Sequence, residues 1–575
     1  MPKSAALVIA PKGQIVEQLA GDAIEQAKGQ LTGNSRPETL GRDLVRTIRA
    51  AKDDKRVKAL LLDLNSMSGA RPAMLQDLKA AVEDFKESEK PVIATSDYYL
   101  KSQYYLASAA DEIYLTDFGL VLLDGYSRYR AYHREGLERL EIDSNVVRVG
   151  EFKSAVEPFL RDSMSDEAKE ANLEWLGDLW RSYLTDVSAA RGLTPETMTE
   201  GIANLNAQLA GADGDISQLA LESGLVDHVG GRDVLRQRMI ELVGEDEEEQ
   251  SFYRIGHADY LEVVGDDVKK GKSGKVAVII AKGTILDGSH PPGTIGGNST
   301  AALIRKARND EDVKALVLRV DSGGGSASAS ELIRQEFVLA REAGKKVVVS
   351  MAGVAASGGY WISTASDEIW ANPNTITGSI GIFGMIPTYQ KPLAKYLGTR
   401  IDGVGTTWLG GQLRQDRALN PRLKEFVTQS IQRGYRDFVA RVSEARGMTT
   451  EDVDKIARGR VWSGIDAHEI GLVDRLGGLE EAIASAAELA ELGEDYGVQY
   501  VEKELDWKDR MIADFLASAG DRFPQALGFE QSPAERLGLS VLGGALGETL
   551  GDYADILSGF NDPYGMYAYC FCEAE

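Results

Sequence analysis

The amino-acid sequence predicts an α/β protein made by tandem duplication of one unit, and three observations carry that reading. The first is an internal repeat. Residues 48–66 (IRAAKDDKRVKALLLDLNS) set against residues 304–322 (IRKARNDEDVKALVLRVDS), an offset of 256 positions, give ten identities in nineteen. The same offset matches residues 104–113 with 360–369; an offset of 255 matches 188–196 with 443–451, and one of 247 matches 224–227 with 471–474. The second is alternation within each copy between short apolar or β-branched runs and amphipathic stretches, the pattern of a largely parallel, buried sheet with crossover helices. The third is length, because 575 residues exceed what a single hydrophobic core sustains.

Taken in chain order, residues 59–64 (ALLLDL), 92–94 (VIA), 313–318 (VKALVL) and 347–349 (VVV) read as buried strands. A longer helix follows in each copy. In the first, Ser165 is the N-cap, Asp166 and Glu167 fill the first turn, and Leu173, Leu176, Trp180, Leu184 and Val187 form one face. In the second, the face is Leu423, Phe426, Val427, Ile431, Tyr435, Phe438 and Val442. The expected organisation is a first repeat over 1–240, an acidic and polar linker over 241–274 that contains the run 245–249 (EDEEE), a second repeat over 275–504, and a tail over 505–575. The Gly- and Leu-rich stretch 537–557 of that tail has no counterpart in the first half.

Composition narrows the function. Lys plus Arg number 64 against 89 Asp plus Glu, a net charge of −25, which speaks against a nucleic-acid-binding surface. No run approaches the roughly 18 apolar residues of a membrane-spanning helix. Cys570 and Cys572, one residue apart at the end of the chain, suit neither a disulfide framework nor a four-ligand zinc site, and the five histidines lack metal-ligand spacing. No metal and no cofactor is called for. The chain opens on a short strand-like run with no signal-peptide h-region.

The chemistry lies where the two copies differ. In the second, Ser357 follows a strand and precedes Gly358 and Gly359, so a following backbone N–H can serve an oxyanion. The first copy has Lys101 there, read as a solvated charge. Upstream, residues 321–325 (DSGGG) let the backbone approach a ligand, whereas the first copy has 65–69 (NSMSG). Conversely, Lys153 in 148–158 (RVGEFKSAVEP) faces residues 406–408 (TTW) in the second copy. Each motif alone has a plain explanation: a turn, a solvated charge, an ordinary loop. Their reciprocal loss instead points to one site built from both repeats, in which a neutral lysine takes the serine's proton. Ala355 excludes a G-x-S-x-G elbow. Residues 360–362 (YWI) and 380–383 (IGIF) are expected to line an apolar groove for extended peptides.

Residues 148–164, 319–326, 350–364 and 372–384 resemble the signal peptide peptidase A family in its long, duplicated bacterial form, the protease IV type. The resemblance implies the Clp-protease/crotonase fold, a Ser/Lys dyad with Ser357 as nucleophile and Lys153 as general base, an oxyanion hole from the N–H groups of Gly324 and Gly358, and a lysine-orienting role for Ser379. It further implies peptide substrates, cleaved signal peptides above all, a homotetramer, and an anchor in the bacterial inner membrane that faces the catalytic part to the periplasm; this chain does not contain that anchor. The family's Ser-Pro-Gly-Gly is here Ser322-Gly323-Gly324-Gly325, which lacks proline's fixed φ. The expected function is a serine endopeptidase working through an acyl-enzyme; its rivals are a crotonase-like acyl-CoA enzyme and a non-catalytic scaffold for apolar peptides.

Overall fold

A computed structural model describes residues 1–32, 37–265, 271–503 and 561–572. The Gly- and Leu-rich stretch 537–557 lies outside the described residues. The chain divides into two compact units, one holding Met1–Tyr126 and Gly177–Val268, the other Ser127–Leu176, Lys269–Lys503 and the described C-terminal residues.

The first unit is built on a six-stranded parallel sheet in the order His228–Val229, Glu112–Leu115, Val92–Ser96, Val57–Asp63, Ala5–Ile9, Arg254–Gly256. Its strands are apolar on both faces, as a sheet covered by helices on each side requires. The second unit repeats that order with Arg475–Leu476, Glu368–Ala371, Lys346–Ala356, Val313–Ser322, Lys275–Lys282 and Gly497–Tyr500. The duplication therefore extends from sequence to topology.

The central strands differ between the copies. Lys346–Ala356 has eleven residues where Val92–Ser96 has five. Its extension beyond the shared sheet pairs with Ile376–Gly378, which pairs in turn with Val461–Ser463. Ser357 and Ser379 directly follow two of these strands, Lys346–Ala356 and Ile376–Gly378.

The segment Ser127–Leu176, part of the first sequence repeat, belongs to the second unit. Its strand Asp143–Val149 pairs antiparallel with Ile382–Thr388 over seven residue pairs, from Asp143 opposite Thr388 to Val149 opposite Ile382. The stretch 241–274, expected as a linker, is folded through Val264. The acidic run enters a two-stranded ribbon, Glu245–Asp246 with Ser251–Phe252; Arg254–Gly256 is the edge strand of the first sheet, and His257–Val264 is helical. Polar composition there marks an exposed edge, where each strand needs only one apolar face.

The two long helices form as expected, with shifted faces. In Asp166–Arg191, Ser165 Oγ accepts the Ala168 N–H at 3.1 Å. Trp175, Leu179, Tyr183 and Val187 are buried, whereas Leu173 is 73% exposed. In Pro421–Arg446, capped by Asn420, Leu423, Ile431, Tyr435, Phe438 and Val442 are buried and Phe426 is exposed.

Candidate active site

Ser357 occupies the single residue between the strand Lys346–Ala356 and the helix Gly358–Ser363. Reversing direction within one residue puts its backbone at φ 57°, ψ −111°, a conformation that costs a non-glycine residue about 1–3 kcal/mol. Two hydrogen bonds hold it there: its N–H donates to the Gly378 carbonyl at 2.8 Å, and its carbonyl accepts from Trp361 N–H at 2.8 Å. The turn is as sharp as a nucleophile elbow although residue 355 is alanine. The neighbouring strand shifts register between Val320 and Ser322, and Asp321 Oδ1 accepts the Val354 N–H at 3.1 Å, which ties the glycine loop to the strand bearing Ser357.

The antiparallel pairing of Asp143–Val149 with Ile382–Thr388 delivers Gly150–Lys153 beside Ser379. Lys153 Nζ lies 2.7 Å from Ser357 Oγ, 2.9 Å from the Ser379 carbonyl oxygen and 3.0 Å from Ser379 Oγ. Lys153 is 1% exposed and Ser357 fully buried. Burial alone holds the amine well below the ordinary lysine value, because a desolvated ammonium is disfavoured. Arg148 Nη1 donates to the Lys153 carbonyl at 3.1 Å and steadies its backbone. All three side chains lie in the second unit.

Of the expected oxyanion donors, Gly358 opens a helix, so its N–H has no intrahelical acceptor. Gly324 lies beside it: a Cβ on Gly324, whose φ is +96°, would stand 2.4 Å from the Gly358 nitrogen. The Gly324 N–H, however, donates to Ser322 Oγ at 3.0 Å, and Ser322 Oγ donates to the Gly283 carbonyl. That amide is engaged by its own loop.

The C-terminal residues are part of this neighbourhood. Tyr567–Tyr569 pairs antiparallel with Gly324–Ser326 and, through Tyr567, with Phe383. The Ala568 carbonyl oxygen lies 2.1 Å from where a Cβ of Gly324 would stand. Tyr567 and Tyr569, on one face of the strand, pack with Ala155, Val156 and Phe383. Asp562 anchors the segment, Oδ2 accepting from Ser326 Oγ and Ser328 N–H, Oδ1 from Tyr564 and Met566 N–H. Cys570 and Cys572, whose spacing suits no disulfide framework, form a disulfide with each other across one residue, and the Cys570 N–H donates to the Gly323 carbonyl at 2.7 Å.

Two further expectations are corrected. Lys101 is not a solvated charge: its side chain is 14% exposed, Nζ donates to the Gly125 carbonyl at 2.6 Å, and it sits 5.0 Å from the Tyr126 ring centroid. Tyr360, Trp361 and Ile362 line no groove. They are core, with Tyr360 Oη donating to the Leu472 carbonyl and Trp361 Nε1 to Glu331. Sequence reasoning missed the turn Arg458–Gly459–Arg460, which grips both the lysine and the Ser379 segments, and missed Asp562. The succession of positive-φ residues Arg458 and Gly459 has no outward mark in the sequence beyond the glycine. Among the described residues, no group of three or more His, Cys, Asp or Glu could hold a metal ion, and no helix is long and apolar enough to cross a membrane.

Comparisons with known proteins bear on this geometry. The sequence pattern of peptidase family S49 matches twice, over residues 84–245 and 339–493. Protease 4 of Salmonella typhi is 41% identical over 528 residues, covering 92% of this chain and 83% of that protein. Protease 4 of Haemophilus influenzae is 38% identical over 557 residues, covering 95% and 87%. Among solved structures, a ClpP1 point mutant from Listeria monocytogenes aligns with a TM-score of 0.24 at 15% identity, covering 36% of this chain and 94% of that one.

Proposed function

Because the chain belongs to peptidase family S49, we propose that it is a serine endopeptidase in which Ser357 and Lys153 form the catalytic pair. The observation that supports this reading most strongly is the 2.7 Å approach of a buried amine to a buried hydroxyl on a strained strand-to-helix turn. Neutral Lys153 takes the Ser357 proton as Oγ attacks the scissile carbonyl carbon. The tetrahedral oxyanion is met by the Gly358 N–H and, once it leaves Ser322 Oγ, by the Gly324 N–H. The lysine ammonium then protonates the departing amine, which leaves an acyl-enzyme. Water attacks this ester, gives a proton to Lys153, and the proton returns to Ser357 as the acid departs. Ser379, through its carbonyl and hydroxyl oxygens, takes two amine hydrogens and aims the nitrogen lone pair at the serine.

The substrate class we assign is extended, apolar peptide, signal-peptide remnants included. The edge Gly324–Ser326 already takes an extended strand, Tyr567–Tyr569, whose alternate side chains occupy an apolar surface, and substrate pairing at such an edge is strand addition. The crotonase-like rival needs a carboxylate base. The carboxylate in the glycine loop, Asp321, is turned to the Val354 N–H. Assembly as a homotetramer and a membrane-anchored, periplasmic setting belong to the proposal through the family resemblance. The test compares hydrolysis of an Ala/Leu-rich signal-peptide-like sequence, a charged peptide of equal length and a stable folded domain. The first should be cut fastest and the domain spared; preference for the charged peptide, or rapid digestion of the domain, overturns the substrate assignment.

A further inference from the structure

The Lys153 amine is fixed at its tip by Ser379, but something must also fix the backbone that carries it. The segment 150–153 enters no sheet of its own. Instead it lies against the turn Arg458–Gly459–Arg460, which stands between the helix Thr450–Ile456 and the strand Val461–Ser463. The Arg458 carbonyl accepts the Phe152 N–H at 3.1 Å, and a Cβ on Gly150 would meet that same oxygen at 2.2 Å. The Arg460 carbonyl accepts the Ser379 N–H at 2.6 Å, and the Gly459 N–H donates to the Ile380 carbonyl at 2.8 Å. Three consecutive residues therefore hold both the segment bearing the lysine and the segment bearing the oxygens that orient it.

Gly459 is the closest point. Its φ is +84°, and a Cβ there would stand 2.5, 2.6 and 2.7 Å from the Lys153 N, Cα and Cβ atoms. Backbone lies against backbone, so any side chain must push the lysine away. The Arg460 side chain packs on the residue next to the lysine. Its guanidinium lies 4.8 Å from the Phe152 ring centroid and 4.7 Å from that of Trp462, and it pairs with Glu170 at 3.0 Å and with Glu174.

We propose that this turn, through Gly459 and Arg460, is the positioning element of the general base: it sets the reach of Lys153 to Ser357 and keeps water from the amine. The inference rests on the catalytic pair proposed above. Neither residue touches the reacting atoms, so both act through Lys153 as positioning residues. A misplacement of about 1 Å at a catalytic group costs up to about a hundredfold in rate. Water admitted beside the amine returns its pKa toward the ordinary lysine value.

The experiment measures kcat, KM and the pH profile of kcat/KM for the full chain and for Gly459→Ala, Arg460→Ala and Gly447→Ala. Gly447 supplies the control: its φ is +63° and nothing stands within 4 Å of its would-be Cβ, so the substitution brings left-handed strain without contact with the lysine. Gly459→Ala should lower kcat by about tenfold or more at nearly constant KM and move the acid limb upward by about one pH unit. Arg460→Ala, whose backbone bonds remain, should move the limb the same way by less. Gly447→Ala should leave kcat and limb in place. Equal losses in Gly459→Ala and Gly447→Ala, or an unmoved limb in both Gly459→Ala and Arg460→Ala, overturn the inference. If Gly459→Ala does not fold, Arg460→Ala alone decides. Lys153→Ala is run alongside: full activity there brings down the catalytic pair itself, whereas an inactive Lys153→Ala beside an unaffected Gly459→Ala brings down only this positioning role.

Discussion

An amine without water around it holds a proton poorly, and Lys153 is enclosed by protein with only serine oxygens at its tip. That makes it a base at moderate pH, and Ser357→Ala and Lys153→Ala should each lower peptide hydrolysis about a thousandfold or more, with the double variant no worse than either, as steady-state kinetics will read. Lys101→Ala should change hydrolysis little, since Lys101 lies in the other unit, bound to the Gly125 carbonyl. The same burial has a thermodynamic consequence. The folded-state pKa of Lys153 is depressed, so between that value and about 10.4 the unfolded chain binds the extra proton, and stability rises with pH across this window. The cost of burying the amine is full below the folded pKa and fades toward pH 10.4. Relative to the parent, Lys153→Met should therefore gain more in Tm at pH 7 than at pH 10; an equal or reversed difference in calorimetry contradicts a depressed lysine.

Among the elements, the strands were plain to sequence reading because a parallel sheet covered on both sides leaves continuous apolar runs. Helix faces were less so. Phe426 and Leu173 fit the 3.6-residue period yet point outward, because periodicity marks an apolar stripe and not which flank of it meets the core. The three-residue strand Tyr567–Tyr569 left no pattern to detect. Its place is set by Asp562, whose carboxylate gathers four donors, and by pairing with Gly324–Ser326. A peptide that adds to this edge competes with the chain's own strand. Asp562→Ala should accordingly speed hydrogen exchange in residues 566–570 and lower KM for an extended peptide. Unchanged exchange and unchanged KM would mean that the strand neither depends on Asp562 nor stands in the substrate's way.

At the scale of the whole molecule, the duplication and the reciprocal loss of Ser357 and Lys153 could be read from the chain alone, since alignment of the copies exposes what each has kept. Alignment does not say which neighbours a segment packs against. Residues 127–176 align with the first repeat and fold with the second unit, so the site contains residues of both sequence repeats yet lies within one compact unit. The turn Arg458–Gly459–Arg460 was hidden for a similar reason: its importance comes from contact with residues about 300 positions earlier. A site complete within one chain predicts that Ser357→Ala and Lys153→Ala proteins, mixed and refolded together, regain no hydrolysis. Recovery toward parental activity would show that the two residues meet across chains.

The central claim is that a neutral, buried Lys153 activates Ser357. Labelling with a serine-directed fluorophosphonate, followed over pH and mapped by peptide mass spectrometry, tests it directly. The parent should label at Ser357, faster as pH rises, with a limb below the ordinary lysine value of about 10.4, and folded Lys153→Ala should label about a hundredfold more slowly or not at all. Labelling at another serine, or labelling of Ser357 at the parental rate in Lys153→Ala, would contradict the account.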